Sequence, residues 1–408
     1  MRKCDVLVIG AGASGLICAG MAAKLGKNVI LLEKNHRPAR KVMISGKGRC
    51  NLTNSCSVQE FISCVPRNGR FLYSAISRFS PQDTIDFFES IGLKLKTERG
   101  KRVFPVSDKA VDVVDTLVAF AKGSGAKILQ GTASEVKKGE DGFFVSADSG
   151  QYEAASVVIA TGGVSYPVTG STGDGYKFAR EFGHSIISPR ASLVPLDCRE
   201  DFCRELQGLS LKNIAVKVTD NTLNKIVYTD FGELLFTHFG VSGPIVLSAS
   251  AHMPSAEDGR YSVDINLKPA LSEEQLEARI QRDFNKFANK NLQNSLVELL
   301  PRALIPVIIK NAGLDGERPV NQATKEMRRA LLAAVRALRV NVSGFRPIAE
   351  AVITSGGVDV KGINPKTMES KLVPCLFFAG ETIDVDAYTG GFNMQIAFST
   401  GYLAGHSV

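Results

Sequence analysis

The chain has 408 residues, of which 44% are hydrophobic and 22% charged, so it is long enough for two or three domains and too apolar to be disordered. Its net charge is +8, and residues 1–60 hold ten of the 49 Lys and Arg residues but only three acids. That concentration favours a local site for an anionic ligand such as a dinucleotide over a basic surface that binds nucleic acid. The alternative is that these lysines lie on the surface and bind no ligand.

The cysteine and histidine patterns argue against a metal site and a disulfide framework. The eight cysteines form no C-x-x-C pair, and only five histidines accompany them, so we expect no metal and a reducing, cytoplasmic location. The uncharged run of residues 6–23 is similar to a signal peptide or a membrane span. Asp5 precedes the run and four glycines interrupt it, which favours a folded strand and helix.

The N-terminal pattern is typical of a dinucleotide-binding fold. Cys4–Ile9 predicts a buried parallel strand, Leu16–Leu25 a helix and Asn28–Leu32 a second strand. Between the first strand and the helix stands G-A-G-A-S-G, which begins at Gly10. Its glycines permit a tight turn, the close approach of a pyrophosphate and close helix packing. Glu33 follows the second strand and is placed to accept a hydrogen bond from a ribose hydroxyl. The alternative for the whole pattern is a glycine-rich turn between strand and helix that binds no ligand.

Later segments favour FAD over NAD as the cofactor. Arg40–Asn54 is a predicted loop of small, cationic and amide residues, which a flavin needs and a nicotinamide does not. Val157–Gly163 and Leu376–Asp384 each predict an apolar strand that ends in a small-residue turn, and Tyr388–Ala397 opens a C-terminal helix with glycines. Asp384 can accept from ribityl hydroxyls, and the first amides of that helix can face the pyrimidine edge of a flavin.

The chain resembles the two-dinucleotide-binding-domain flavoproteins and, more narrowly, a bacterial FAD-dependent oxidoreductase family that includes aminoacetone-oxidase-like flavoproteins and bile-acid-pathway reductases. The strings that carry the resemblance are G-A-G-A-S-G-L at Gly10, S-G-K-G-R-C-N-L-T-N at Ser45, A-T-G-G at Ala160, G-S-T-G-D-G-Y at Gly170, G-E-L-L-F-T-H-F-G-V-S-G-P at Gly232, T-S-G-G-V at Thr354 and A-G-E-T-I-D-V-D-A-Y-T-G-G-F-N-M-Q-I-A at Ala379. The resemblance implies an FAD cofactor, an insert between two halves of the flavin domain and, by analogy, a small organic substrate. The family often has glycine where this chain has Lys47.

The predicted fold class is α/β, with a Rossmann-like FAD-binding domain that is split in the sequence, an inserted β-barrel-like subdomain and a small helical subdomain. The expected boundaries are 1–192 for the first part of the FAD-binding domain, 193–270 for the β subdomain, 271–335 for the helical subdomain, 336–344 for a return through the β subdomain and 345–408 for the C-terminal part. A capping box of Ser272 with Gln275 and a cap at Asn321 predict the starts of two helices. We expect proteases to cut first at the borders of the insert or in Ala256–Gly259.

A second glycine pattern occupies Gly170–Gly175. It lacks a preceding apolar strand and a later ribose acid, so it predicts a loop and a helix start capped by Ser171, Thr172 and Asp174 instead of a second nucleotide site. NAD(P)H, if it is used, would bind transiently.

The candidate site residues follow from these segments. The residues expected to contact FAD are Gly10, Gly12, Ala13, Ser14, Gly15, Glu33, Lys34, Arg40, Lys41, Gly46, Lys47, Gly48, Arg49, Cys50, Asn51, Ala133, Ala160, Thr161, Gly162, Gly380, Glu381, Asp384, Gly391, Phe392, Asn393 and Met394. Because a flavin performs the redox step itself, catalytic side chains stay unassigned, with Lys47, His238 and Tyr388 as weak candidates. For Cys50, a small packed residue is favoured over a redox thiol.

We therefore expect an FAD-dependent oxidoreductase that transfers hydride between the flavin and a small organic substrate, with O2 or NAD(P)H as a second partner. The alternatives are an RNA-directed flavoprotein and a non-catalytic FAD-binding interaction protein. We expect no membrane partner, the charge distribution disfavours nucleic acid, and the oligomeric state stays open.

Overall fold

The computed structural model describes residues 1–255 and 257–408, so Ala256, in the loop where we expect proteolysis, lies outside the described residues. The chain divides into two compact units. The split unit comprises Met1–Ser192 and Pro347–Val408, and the inserted unit comprises Leu193–Arg346.

Strands and helices alternate at the start of the chain, and most later strands follow one another. The strands are β1 (Arg2–Ile9), β2 (Val29–Glu33), β3 (Thr53–Asn54), β4 (Leu95–Glu98), β5 (Arg102–Pro105), β6 (Lys127–Gln130), β7 (Ala133–Lys138), β8 (Phe143–Ala147), β9 (Gly150–Ile159), β10 (Ile186–Ser192), β11 (Leu196–Cys198), β12 (Ser210–Asp220), β13 (Lys225–Thr237), β14 (Gly240–Ser242), β15 (Tyr261–Asn266), β16 (Leu338–Phe345), β17 (Ile353–Val358) and β18 (Leu376–Phe378). The helices are α1 (Ala13–Lys24), α2 (Arg40–Ile44), α3 (Val58–Ser63), α4 (Gly69–Arg78), α5 (Pro81–Ser90), α6 (Ala110–Gly123), α7 (Asp174–Glu181), α8 (Phe202–Glu205), α9 (Pro244–Ser250), α10 (Glu273–Lys286), α11 (Leu292–Ser295), α12 (Ile305–Asn311), α13 (Lys325–Arg336) and α14 (Phe392–Ser407).

The split unit is built on a seven-stranded mixed sheet. Its order is β6-β2-β1-β9-β8-β7, and β18 also pairs with β9. The pairs among β6, β2, β1, β9 and β18 are parallel, whereas β7, β8 and β9 pair antiparallel. All five residues of β2 are buried, as expected for a parallel strand that is covered on both faces. The predicted Rossmann-like α/β class is therefore confirmed.

The inserted unit contains a closed barrel, in the order β11-β14-β13-β12-β15-β16, and helices α10 to α13. The barrel strands pair antiparallel. Apolar side chains of the helices, such as Leu276, Ile280 and Leu331, belong to the same hydrophobic core as those of the barrel strands. The predicted barrel-like and helical parts are both present.

The two predicted helix caps in the inserted unit have different outcomes. The capping box at the start of α10 is present, with the Ser272 hydroxyl accepting from the Gln275 N–H. The cap predicted at Asn321 is wrong, because that residue lies in a 3₁₀ turn that is closed by a hydrogen bond from the Ala323 N–H to the Val320 carbonyl. Helix α13 instead begins after Thr324, whose hydroxyl caps it.

The helices and the chemistry-bearing side chains agree with a fold that has neither a bilayer-spanning helix nor a clustered metal site among the described residues. Within residues 1–255 and 257–408, every helix is too short or too polar to span a lipid bilayer. The same residues contain no group of three or more His, Cys, Asp or Glu side chains that could hold a metal ion. All eight cysteines are free thiols.

Candidate functional site

A large cleft opens at the carboxyl ends of the parallel strands of the split unit. It holds about 1330 Å³ of space, part of it open to solvent. Gly10, Lys34 and Ala160, which follow β1, β2 and β9, line it together with Glu381 from the turn after β18. Ligands of open α/β sheets bind at this edge, so the cleft is the candidate cofactor site.

The glycines of the N-terminal turn serve three purposes. Gly10 has a φ of +101°, and a Cβ there would lie 2.6 Å from the Ala160 carbonyl oxygen. A Cβ on Gly15 would lie 1.9 Å from the Gly10 carbonyl oxygen, so only glycine lets α1 pack on the turn. Gly12 lines the cleft, and a Cβ there would meet no atom within 4 Å. Since α1 has no side-chain cap, the N–H groups of its first turn can receive a pyrophosphate.

Glu33 ends β2, lines the cleft and is only 8% exposed. Its Oε2 accepts from the Ala11 N–H at 2.9 Å, and its Oε1 accepts from the Asn35 N–H at 2.8 Å. A carboxylate offers about four acceptor sites, so Glu33 can hold the glycine turn and still accept from a ribose hydroxyl.

A hydrogen-bond network ties the chain after β2 to the turn after β18. The Lys41 ammonium donates to Glu381 Oε2 at 2.6 Å and to the Ser165 hydroxyl at 2.7 Å. Glu381 Oε1 accepts from the Thr354 N–H at 2.7 Å. Lys41 and Glu381 both line the cleft, so their ion pair fixes one part of its wall.

The start of α14 forms another part of the wall, through Asn393 and Met394. The helix has 16 residues and no side-chain cap. The Asn393 amide instead holds the preceding loop, donating to the Ala387 carbonyl at 2.8 Å and accepting from the Ala387 N–H at 2.9 Å. Uncapped N–H groups at a helix start favour negative charge, which suits the pyrimidine edge of a reduced flavin.

Two sets of contacts fix α14 in place. A Cβ on Gly401 would lie 2.3 Å from the Ser14 carbonyl oxygen, so the backbones of α14 and α1 touch. Gln395 is fully buried, and it accepts from the Thr53 hydroxyl at 2.6 Å and donates to the Phe79 carbonyl at 2.9 Å. The last helix of the chain therefore completes a cleft that begins at the first strand.

Buried polar atoms beside the cleft fit a ligand that carries hydroxyl and amide groups. Thr161 Oγ1, on the cleft wall, and Asp384 Oδ1 have no hydrogen-bond partner among the described residues. The other carboxylate oxygen of Asp384 accepts from the Asn68 amide at 3.0 Å. An unsatisfied buried polar atom costs about 1–3 kcal/mol, and a ribityl hydroxyl in the cleft would remove that cost at Thr161, which lines it. The residues present therefore fit FAD.

A second buried carboxyl group follows at Asp386, which is 1% exposed. Its Oδ2 accepts from the Ser192 hydroxyl at 2.7 Å, and its Oδ1 has no partner among the described residues. Burial raises the pKa of Asp386, although hydrogen bonds from Ser192 and Ser355 and the charges of Arg67 and Arg190 oppose the rise. Asp386 therefore holds a proton more readily than an exposed aspartate does.

The residues predicted to contact FAD fall into two groups. Those that line the cleft are Gly10, Gly12, Ala13, Ser14, Glu33, Lys34, Arg40, Lys41, Ala133, Ala160, Thr161, Gly162, Glu381, Asn393 and Met394. Those outside the lining are Gly15, Gly46, Lys47, Gly48, Arg49, Cys50, Asn51, Gly380, Asp384, Gly391 and Phe392. Their individual contacts with FAD stay predictions.

Arg49 is bound within the protein, in a segment that is more regular than the predicted loop. Arg40–Asn54 contains α2, a short turn and β3. The Arg49 guanidinium pairs with Glu98 and Asp108 and stacks 4.2 Å from the centre of the Phe104 ring, and its hydrogen bond lowers the pKa of Glu98. Arg49 thus fastens this segment to β4 and to the chain around β5.

The remaining residues of that segment differ in exposure. Lys47 is exposed and has a φ of +60°, between Gly46 and Gly48, which are also left-handed. Cys50 is fully buried, and burial raises the pKa of its thiol to about 12. Little reactive thiolate forms at neutral pH with such a pKa.

The other two catalytic candidates lie in different units. His238 belongs to the inserted unit, between β13 and β14, with its ring 5.0 Å from that of Phe239. Tyr388 belongs to the split unit, is half-buried outside the cleft lining, and donates its N–H to the Cys64 carbonyl at 3.1 Å. A catalytic role for either stays a prediction.

Sequence reasoning missed the loop before α7 as part of the cleft. The lining includes Thr169, Gly170, Ser171 and Asp174. The predicted caps of α7 (Ser171, Thr172 and Asp174) are wrong, because Gly173 is its N-cap and no side chain caps it. Asp174 instead pairs with Lys34 at 2.7 Å. The signal is the glycine-rich string at Gly170, which has no apolar strand pattern directly before it in the sequence.

The fold and the cleft define an FAD-binding oxidoreductase of the dinucleotide-binding α/β class. The chain belongs to the family described as "HI0933-like protein Rossmann domain", whose model matches residues 4–407. FAD is its cofactor, and the predicted flavoenzyme class is confirmed.

Three relatives are similar over nearly the whole chain. A "Ribosomal RNA dihydrouridine synthase" of Escherichia coli K12 is 34% identical over 98% of this chain and 97% of its own, and one of Haemophilus influenzae is 33% identical over 98% of each. A "3-dehydro-bile acid delta(4,6)-reductase" of Clostridium scindens is 29% identical over 98% of each.

Solved structures of more distant proteins share the fold. A flavocytochrome c3 fumarate reductase matches with a TM-score of 0.50 and 18% identity, over 100% of this chain and 78% of its own. A 3-ketosteroid-Δ4-(5α)-dehydrogenase of Rhodococcus jostii RHA1 matches with a TM-score of 0.53 and 13% identity, over 99% and 97%.

Proposed function

We propose that this protein is a flavin-dependent reductase that saturates a carbon–carbon double bond conjugated to a carbonyl group, and that its substrate is uridine in ribosomal RNA. The observation that carries the proposal is the 34% identity with the E. coli ribosomal RNA dihydrouridine synthase over 98% of this chain and 97% of that protein. Dihydrouridine is uridine with two hydrogens added across one double bond of the base.

The cleft supports a reduction of this kind. Bound FAD supplies the hydride chemistry, with an external two-electron donor such as NADH or NADPH. The chain's own residues would hold and orient the cofactor: the start of α1 would bind the pyrophosphate, Glu33 a ribose, and the start of α14 the pyrimidine edge. A helix N-terminus at that edge favours the negative charge of the reduced state.

A small enone is the second candidate substrate, in line with the small organic substrate expected from the sequence. The 29% identity with the bile-acid delta(4,6)-reductase over 98% of both chains favours it. The two candidates share the bond that is reduced and differ in the size and charge of the molecule that carries it.

One experiment separates them. The FAD-loaded protein is incubated without O2, with NADPH or NADH, and with ribosomal RNA transcribed in vitro, free uridine or a panel of 3-keto-Δ4 steroids. We expect digested RNA to yield a nucleoside with the mass of uridine plus two hydrogens, and cofactor-free protein to yield none. Reduction of the steroids with no change in the RNA would refute the RNA proposal and favour the small enone.

A further inference from the structure

The inserted unit divides sharply by charge. Residues 193–267, which form most of the barrel, hold six Lys or Arg and ten Asp or Glu. Residues 268–336, which contain α10 to α13, hold twelve Lys or Arg and eight Asp or Glu. The helical segment is therefore a second basic region, separate in sequence from the basic N-terminal residues beside the cofactor cleft.

Most cations of the helical segment are not neutralised by ion pairs. Arg279 pairs with Asp283 at 2.8 Å, and Lys286 pairs with Glu298 at 2.6 Å. The exposed cations that have no carboxylate oxygen within 4.0 Å among the described residues are Arg282, Lys290, Arg302, Lys310, Arg318, Lys325 and Arg329. Unpaired charges of one sign attract a polyanion and release its counterions when they bind.

Helix α13 carries two of these exposed cations, Lys325 and Arg329, and two half-buried arginines on one face. The face consists of four cations that are three, one and seven residues apart along the helix, so they lie along one side of it: Lys325, Arg328, Arg329 and Arg336. The opposite side is apolar and buried, with Met327, Leu331 and Ala334 in the core. We call this side of α13 the basic face; it consists of Lys325, Arg328, Arg329 and Arg336.

The basic face also carries two donor atoms that have no acceptor in the part of the chain that the structure describes. Arg328 Nε and Arg336 Nη1 are buried atoms without a hydrogen-bond partner among the described residues. Neighbouring α10 ends in a cation–aromatic group, with the Lys286 and Lys290 ammonium groups 5.4 and 4.9 Å from the centre of the Phe287 ring. Cations beside an aromatic ring are a common composition of RNA-binding surfaces.

We propose that the basic face of α13 binds the phosphate backbone of the RNA substrate. This inference rests on the proposed function. Contacts between the basic face and RNA phosphates would supply binding energy for the RNA substrate that free uridine lacks. The exposed cations of the face, Lys325 and Arg329, position the polyanion without reading bases, because Lys and Arg contacts to phosphates carry no sequence information.

The test is a salt titration of RNA binding with FAD-loaded protein. The variant Lys325→Gln/Arg329→Gln removes two exposed cations that have no carboxylate partner. The matched control Arg37→Gln/Arg199→Gln removes two exposed cations that are paired, with Asp115 at 3.2 Å and Asp258 at 2.8 Å. Binding of a fluorescent fragment of ribosomal RNA is followed by anisotropy over a series of salt concentrations.

We expect the α13 variant to bind roughly tenfold more weakly, and its plot of log K against log salt to be shallower by about 1 for each phosphate contact removed. The control should match the wild type. An unchanged slope of log K against log salt in the α13 variant would overturn the proposal. It would also be overturned if the variant lost binding to phosphatidylserine vesicles but kept its binding to RNA, because the face would then be a membrane contact.

The two proposals fail in different ways. Dihydrouridine formation with an unchanged salt slope would leave the proposed function standing and refute the basic face. Salt-dependent RNA binding that is weakened in the α13 variant, without any dihydrouridine formed, would support the basic face as an RNA surface and refute the reaction.

Discussion

Replacing Glu33 tests the placement of the cofactor most directly. Glu33→Ala removes an acceptor that we expect to bind a ribose hydroxyl of FAD. Loss of a hydrogen bond to a charged group costs about 1.5–3 kcal/mol, which is roughly 10- to 150-fold in affinity. The substitution also deprives the Ala11 and Asn35 N–H groups of their acceptor, so part of the effect will appear as lower stability of the cofactor-free protein.

A double-mutant cycle separates these two effects. Affinity is measured by quenching of flavin fluorescence, for wild type and Glu33→Ala, each with FAD and with FAD that lacks the 2′-hydroxyl of its adenosine ribose. If Glu33 binds that hydroxyl, the deoxy cofactor should bind more weakly than FAD to the wild type, whereas Glu33→Ala should bind both cofactors equally.

Asn35→Ala provides the matched control. Asn35 donates to Glu33 Oε1 at 2.7 Å, so its loss disturbs the same wall but leaves the carboxylate, and affinity should fall only a few-fold. Equal losses for the deoxy cofactor in wild type and Glu33→Ala would refute the ribose contact, whatever the absolute affinities are.

Three other substitutions probe the cleft and its support. Lys47→Gly should change the flavin midpoint potential by less than about 10 mV, because an exposed charge contributes only a few tenths of a kcal/mol. A shift of tens of millivolts would show instead that the Lys47 ammonium lies close to the flavin. Burial raises the pKa of Asp386 in the folded state, so the protonated carboxyl stabilises the fold. That contribution is complete below the unfolded pKa and disappears as pH rises through the folded pKa. In Asp386→Asn the free energy of unfolding should therefore no longer fall over this pH range. Urea unfolding across that pH range checks this, and parallel pH profiles in both proteins would contradict it. Gly401→Ala should lower the Tm, since its Cβ would lie 2.3 Å from the Ser14 carbonyl oxygen and overpacking costs about 1–3 kcal/mol, more than the helix propensity gained; an unchanged Tm would argue against backbone contact between α14 and α1.

The N-terminal βαβ pattern was predictable because its determinants are local. The strand, the three glycines, the helix and Glu33 lie within one short stretch, and each has a fixed geometric purpose. The segment around Arg49 was harder, since Arg49 looks free in the sequence but binds Glu98 and Asp108, which lie far along the chain. Such pairing depends on tertiary structure, and so does the choice of Thr324 over Asn321 as a cap.

The loop at Gly170 shows the same limit from the other side. No apolar strand pattern comes directly before its glycine-rich string in the sequence, but Asp174 pairs with Lys34, which directly follows β2. A glycine-rich loop can therefore line a nucleotide site without the strand that normally precedes it.

The contact between α1 and α14 imposes an order on synthesis of the protein. Eleven of the twelve residues of α1 are buried, and one of the elements that covers them, α14, is synthesised long after α1. A nascent chain on the ribosome thus carries an apolar helix whose partner does not yet exist, and FAD has no complete site until residues 392–407 emerge. FAD loading therefore has to follow the synthesis of α14.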